Sequence, residues 1–133
     1  MILFVCTGNT CRSPLAAALA RARGIDAQSA GIFAHDGDPA TPQAQRAAKR
    51  HGADLSAHQA RAVRADMLKR AEWVYVMTPS HAQALRDAFP ACADRVRVLW
   101  PPIPDPFGGD DGDYERCAQA LLSAMKNAGI VTD

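Results

Sequence analysis

Ile2-Leu3-Phe4-Val5-Cys6-Thr7-Gly8-Asn9-Thr10-Cys11-Arg12-Ser13-Pro14-Leu15-Ala16-Ala17-Ala18-Leu19-Ala20-Arg21-Ala22-Arg23-Gly24 decides the architecture of the chain. Residues 2–5 are apolar without alternation, which predicts a strand buried on both faces. The chain then turns through Gly8 and Asn9. Ser13 is a candidate N-cap, with Pro14 in the first helical turn, where a missing N–H costs nothing. The run from Leu15 to Arg23 is rich in strong helix formers, and Gly24 ends it. Strand, tight turn and helix form the opening unit of an α/β sheet.

The same alternation continues outward. A short second strand is expected over 26–30, and a loop over 31–41, where Gly31, Gly37 and Pro39 fall. Thr41-Pro42 opens a helix that runs to about Gly52. Residues 60–71 read as helical, and Trp73 to Met77 as a third strand in which Trp73 and Tyr75 are core residues. A helix from Thr78, Pro79 or Ser80 to Phe89 precedes a fourth strand over 95–99. Pro101, Pro102, Pro104 and Pro106 stiffen a loop that ends in Gly108-Gly109. The last helix covers 112–128, with one of Asp110, Asp111 and Asp113 as its cap. This order predicts a doubly wound α/β domain: a parallel sheet, helices on both faces and right-handed crossovers. Ligands of such folds sit at the carboxyl ends of the strands, which puts the Cys6 loop and the proline loop on one rim.

A chain of 133 residues supports one core, hence a single domain over 1–133. With 48% hydrophobic and 22% charged residues it is globular rather than disordered. A net charge of +1 offers no field for nucleic acid or an acidic membrane, so any anion specificity is local. No apolar run reaches membrane length, and Met1 to Val5 is too short for a signal segment. The expected compartment is the cytoplasm. Cys6, Cys11, Cys92 and Cys117 form no paired C-x-x-C zinc site and no secreted disulfide framework. No metal and no cofactor are expected, and Cys92 and Cys117 read as structural.

Residues 6–13 carry the chemistry. Between a strand end and a helix start, successive backbone N–H groups of Thr7, Gly8, Asn9, Thr10 and Cys11 converge on one concavity, and the helix dipole adds positive charge. Arg12 closes this anion cradle with a planar fork that suits two phosphoryl oxygens. Cys6 opens it, in a field that favours the thiolate, the nucleophilic form. Ser13 is placed to hydrogen-bond the sulfur. Asn9 tolerates left-handed backbone angles. Asp105, between the proline run and Gly108-Gly109, is the candidate proton donor to a leaving group. Read bare, the same residues also describe a buried cysteine near a chance arginine, and an ordinary Asp-Pro turn.

The string from Phe4 to Pro14 resembles the signature of the low-molecular-weight protein tyrosine phosphatase family. The resemblance continues through Ser29-Ala30-Gly31, Arg50-His51-Gly52, Ser56-Ala57-His58-Gln59-Ala60-Arg61 and Asp105-Pro106-Phe107-Gly108-Gly109. It implies a three-layer sandwich around a four-stranded parallel sheet of order 2-1-3-4. It further implies a phosphocysteine intermediate on Cys6, with Arg12 on the phosphoryl group and Asp105 as general acid and then base. His58 would hydrogen-bond Asn9 and hold the loop, or else be an ordinary histidine. Cys11 would pair reversibly with Cys6 on oxidation, or simply be a small buried side chain. His51 matches without a clear role; His35 and His81 carry no signal. Where family members often have Glu, this chain has Ala17.

The expected partner is a phosphorylated protein and the expected state a monomer. Thr10 and Phe107-Gly108-Gly109, in place of a bulky apolar residue and tyrosines, resemble the protein arginine phosphatase branch. Thr10 offers an acceptor to a phosphoguanidinium, and Phe107 packs on its plane. Phosphotyrosine is the alternative substrate. Arsenate reductase chemistry needs two further cysteines close together, and Cys92 and Cys117 are far apart in sequence. A non-catalytic anion-binding module would be expected to lack Cys6, Arg12 or Asp105.

Overall fold

The computed structural model describes residues 1–132. Strands β1 (Ile2–Cys6), β2 (Ala27–Gly31), β3 (Trp73–Val76) and β4 (Val96–Val98) alternate with helices α1 (Arg12–Arg21), α2 (Pro42–Arg50), α3 (Ala65–Arg70), α4 (Pro79–Ala88) and α5 (Asp111–Asn127). All strand pairs are parallel, in the order β2-β1-β3-β4. The chain leaves β1 toward one edge and later passes to β3 on its other side. The switch point therefore lies at the carboxyl end of β1, where Cys6 is.

Side-chain alternation divides the core in two. Phe4 and Met77 point to the layer of α1, α2 and α5, with Leu15, Leu19, Leu121 and Met125. Leu3, Val5, Val74 and Val76 point to the layer of α3 and α4, with Met67, Leu68 and Leu85. Helix α1 is buried from Arg12 to Ala20, so its alanines are what let α2 and α5 pack close to it. Ala17 is one of these wholly buried residues.

Local signals placed most boundaries. Thr41 and Thr78 cap α2 and α4, accepting from the N–H groups of Ala44 and His81. Asp110 caps α5 in a reciprocal pair with Asp113. Three expectations need correction. Only residues 65–70 of the expected 60–71 helix are helical. The segment before them is extended, because Gly31 N–H donates to Arg61 O and Val63 N–H donates to Gly31 O, and Ala62 bridges β2. Ser13 does not cap α1; the helix starts after Cys11 without a side-chain cap, since the Ser13 hydroxyl is engaged elsewhere. Trp73 is not core: it is 40% exposed and covered by the Arg97 guanidinium, 4.8 Å above its ring, rather than by a helix. A 3₁₀ turn over Pro90–Arg95 was not signalled by periodicity.

Candidate active site

The loop after β1 is a row of unused donors. No backbone N–H from Thr7 to Ser13 finds an acceptor within the protein among the described residues. Asn9 takes a left-handed φ of 57°, which bends the row back on itself. Gly31 makes the bend possible: a Cβ there would lie 2.7 Å from Thr7 O.

Cross-links from distant segments hold every turn of the loop. Asn9 is fully buried; its Nδ2 donates to Ser13 Oγ at 2.8 Å and to Ser29 Oγ at 2.9 Å, and its Oδ1 accepts from Arg61 N–H at 3.0 Å. His58 Nε2 lies 2.7 Å from the Asn9 carbonyl. A carbonyl only accepts, so Nε2 carries the proton. Burial, opposed by that bond, pushes the His58 pKa down, and Arg21 and Arg61 push the same way. Thr41 N–H donates to Thr10 O, and Phe33 N–H to Thr7 O.

Ser13 Oγ is 2.9 Å from Cys6 Sγ and 3.3 Å from Ala30 O. With Asn9 already donating to Ser13, the single O–H of Ser13 is shared between the sulfur and the more distant Ala30 O. A thiolate accepts only, so when Cys6 is deprotonated Ser13 donates to it. Arg12 is nearly buried; Nη1 donates to Ile103 O at 3.0 Å and Nη2 lies 3.6 Å from Asp105 Oδ2. Asp105 is held at its other oxygen by Phe107 N–H at 3.0 Å, and its side chain is 53% exposed.

These groups surround a cavity of about 230 Å³ whose walls include Cys6, Thr7, Gly8, Thr10, Cys11, Arg12, Asp105 and Phe107. The arrangement can bind a tetrahedral anion on N–H donors and a guanidinium, attack it from sulfur, and offer a carboxyl group to what departs. The side chains of Asn9 and Ser13 brace the loop, which leaves their backbone N–H groups free for an anion. A larger cavity of about 620 Å³ lies between residues 104–109 and α5 and holds Cys117. Burial pushes that thiol up to about 12, away from the nucleophilic thiolate form.

Two neighbours escaped the sequence reading. His81, on the first turn of α4, is buried, with Nε2 2.9 Å from Thr7 Oγ1. Tyr114, on α5, puts its hydroxyl 3.2 Å from Cys11 Sγ. Burial and that contact push Tyr114 up to about 12. No local pattern marks either residue; only the fold brings them to the loop. Cys6 and Cys11 are both free thiols on the same cavity.

The family model "Low molecular weight phosphotyrosine protein phosphatase" matches residues 1–128. A protein-arginine-phosphatase of Geobacillus stearothermophilus is 38% identical over 90% of this chain and 87% of its own length. A low molecular weight protein-tyrosine-phosphatase of Streptomyces coelicolor is 35% identical over 92% and 87%. A solved structure of the YwlE arginine phosphatase, a Cys-to-Ser mutant with a phosphorylated active-site serine, superposes with a TM-score of 0.90 at 31% identity over 96% of this chain and 91% of that one. The chain belongs to the low molecular weight phosphotyrosine protein phosphatase family.

Proposed function

We propose that this protein is a phosphatase that hydrolyses phosphorylated side chains of proteins through a phosphocysteine on Cys6, with phosphoarginine as the favoured substrate. The observation that carries the reading is the convergence of Cys6 Sγ, a row of unpaired N–H groups, Arg12 and Asp105 on one small cavity.

The phosphoryl oxygens lie on the loop N–H groups and on Arg12, displacing Asp105 from its ion pair. The Cys6 thiolate attacks phosphorus; the bond to the leaving group breaks as Asp105 delivers its proton to the departing nitrogen or oxygen. Water then attacks the phosphocysteine, Asp105 takes its proton, and the S–P bond breaks to return thiolate and inorganic phosphate. Ser13 stabilises that leaving thiolate through its O–H. The phosphorylated serine of the superposed mutant supports Cys6 as the attacking group, since it stands where a nucleophile receives phosphate.

Thr10 and Phe107 line the same cavity as Cys6, within reach of a substrate side chain whose phosphoryl group lies on the loop. A hydroxyl and one exposed ring suit a planar guanidinium, with its many N–H donors, better than a phenyl ester, which gains from apolar walls on both faces. The name of the Geobacillus relative supports the same choice, and that of the Streptomyces relative supports phosphotyrosine as the second reading. The proposal includes one domain, working as a monomer in the cytoplasm, without a cofactor. Among the described residues no helix is long and apolar enough to cross a membrane. Cys11 is proposed as the partner that condenses with a peroxide-generated sulfenic acid on Cys6, losing water.

The test compares phosphoarginine and phosphotyrosine peptides side by side, in wild type and Thr10→Ile. Preference for phosphoarginine that collapses in the variant supports the reading. Preference for phosphotyrosine, unchanged by the swap, overturns the choice of substrate. Turnover of either peptide by Cys6→Ser removes Cys6 as nucleophile.

A further inference from the structure

We propose that His81 is a positioning residue for the anion loop: its imidazole fixes Thr7, and through Thr7 the first donor after the nucleophile. The inference rests on the phosphatase reading and adds to it a residue that no motif contains.

Thr7 follows Cys6 directly, and its N–H is unpaired within the protein. Two contacts hold it. Its carbonyl accepts from Phe33 N–H at 2.9 Å, which ties it to the chain leaving β2. Its hydroxyl meets His81 Nε2 at 2.9 Å, which ties it to the start of α4. Thr7 itself is exposed, so packing does not immobilise it. Without His81 the hydroxyl side of the residue has no anchor.

The cost of His81 argues that this bond is why it is there. Its side chain is 7% exposed, and Nδ1 is buried with no hydrogen-bond partner among the described residues. A buried polar atom left unpaired is destabilising. Leucine or phenylalanine would fill the same space on the first turn of α4 without that penalty. What neither supplies is a nitrogen directed at Thr7. Burial, reinforced by the field of Arg12 and opposed by Asp105, lowers the imidazole pKa to about 4. His81 therefore braces the loop without adding a charge beside the one that Arg12 already provides.

The experiment uses reach to separate this role from packing. In His81→Gln the amide reaches about as far as Nε2; in His81→Asn it reaches only about as far as the unpartnered Nδ1; His81→Leu keeps bulk alone. With an aryl phosphate, wild type and the three variants are compared for kcat, KM and vanadate inhibition, and vanadate binding is also measured calorimetrically, independent of turnover. One neutral hydrogen bond sets the scale, so Asn and Leu should lower kcat about three- to tenfold and weaken vanadate by a similar factor, with KM within about twofold. Gln should recover most of the loss. Thr7→Val should reproduce the Leu effect, and the double variant should be no worse than either single one. Equal losses in Gln and Leu overturn the proposal. So do losses of His81→Leu and Thr7→Val that multiply, and so does unchanged vanadate affinity in all three His81 variants. A wild type that turns over no phosphate ester fails the phosphatase reading instead, and vanadate binding then still decides the role of His81.

Discussion

The two walls of the cavity are held in different ways. On one side, the loop from Cys6 to Ser13 is bonded to Ser29, Phe33, Thr41, His58, Arg61, His81 and Tyr114, from seven places along the chain. On the other, the segment carrying Asp105 and Phe107 has fewer ties: Phe107 N–H to Asp105 and Gly109 N–H to Pro106 O within itself, and beyond itself a long contact from Gln43 Nε2 to Gly109 O and the 3.6 Å ion pair of Asp105 with Arg12. Most of the first wall is buried, with Thr7 its exposed member; on the second, Phe107 is 71% exposed. Attack on phosphorus demands fixed geometry, where a small displacement of the nucleophile is costly. Proton delivery to leaving groups on different polypeptides tolerates, and gains from, a wall that adjusts.

Asp105→Asn tests the second wall with the largest effect. Removing a positioned general acid should lower kcat about 10²–10⁴-fold on a substrate with a poor leaving group. The loss should shrink toward tenfold or less for an aryl phosphate whose leaving oxygen needs no proton. Asn should fold as well as wild type, since the carboxyl is half in solvent. Rates that fall equally for both leaving groups would move Asp105 out of the acid role.

Asn9→Ala breaks the first wall. It removes an amide that makes three side-chain hydrogen bonds and leaves Ala in a left-handed conformation. Each of the three partners left unpaired costs about 1 kcal/mol, and the backbone about 1 kcal/mol, so denaturant unfolding should show a loss of about 4 kcal/mol. Activity should fall with it, because the same amide braces Ser13. An unchanged midpoint would mean that the loop holds its shape without cross-bracing.

This asymmetry also explains what was legible in the sequence. Cys6, Arg12 and the strand–loop–helix around them lie in one contiguous string, and Asp105 is flagged by Pro106 and two glycines. Such signals are local. The braces are not: His81 is 74 positions from Thr7, and Tyr114 is 103 from Cys11. Residues 60–64 depart from their local helical preference for the same reason. Their helix-forming alanines and arginines are a local preference, overridden by hydrogen bonds to Gly31 and Asn9 that only the folded sheet presents. Ser13 beside Pro14 looked like a cap, yet its hydroxyl is taken by Cys6, a partner brought back by the turn.

Acid should loosen the braced wall before the other. His81 and His58 both have pKa values below the ordinary 6.5, chiefly through burial. In the unfolded chain they take up protons that the folded chain refuses. Stability should therefore be fully present above about pH 6.5 and decline as pH falls, levelling off for His81 below about 4. The His81 share is about 3 kcal/mol at most. Unfolding midpoints of wild type and His81→Gln between pH 7 and 4 check it: the variant should lose less. Parallel curves would show that His81 titrates normally.

Phe107→Ala is the mildest break and the one most specific to the exposed wall. A ring that is mostly in water contributes little to the fold, so unfolding midpoints should shift by under about 0.5 kcal/mol. Its loss should appear where the substrate side chain lies against it. A stacking contact at an exposed site is worth about 0.5–1 kcal/mol, which predicts a rise in KM of about two- to fivefold for the peptide, with kcat nearly unchanged. Inorganic phosphate, which reaches only the loop and Arg12, should inhibit both proteins equally. If phosphate inhibition weakened as well, Phe107 would be acting through Asp105, whose carboxylate its own N–H holds, and the two walls would be mechanically one.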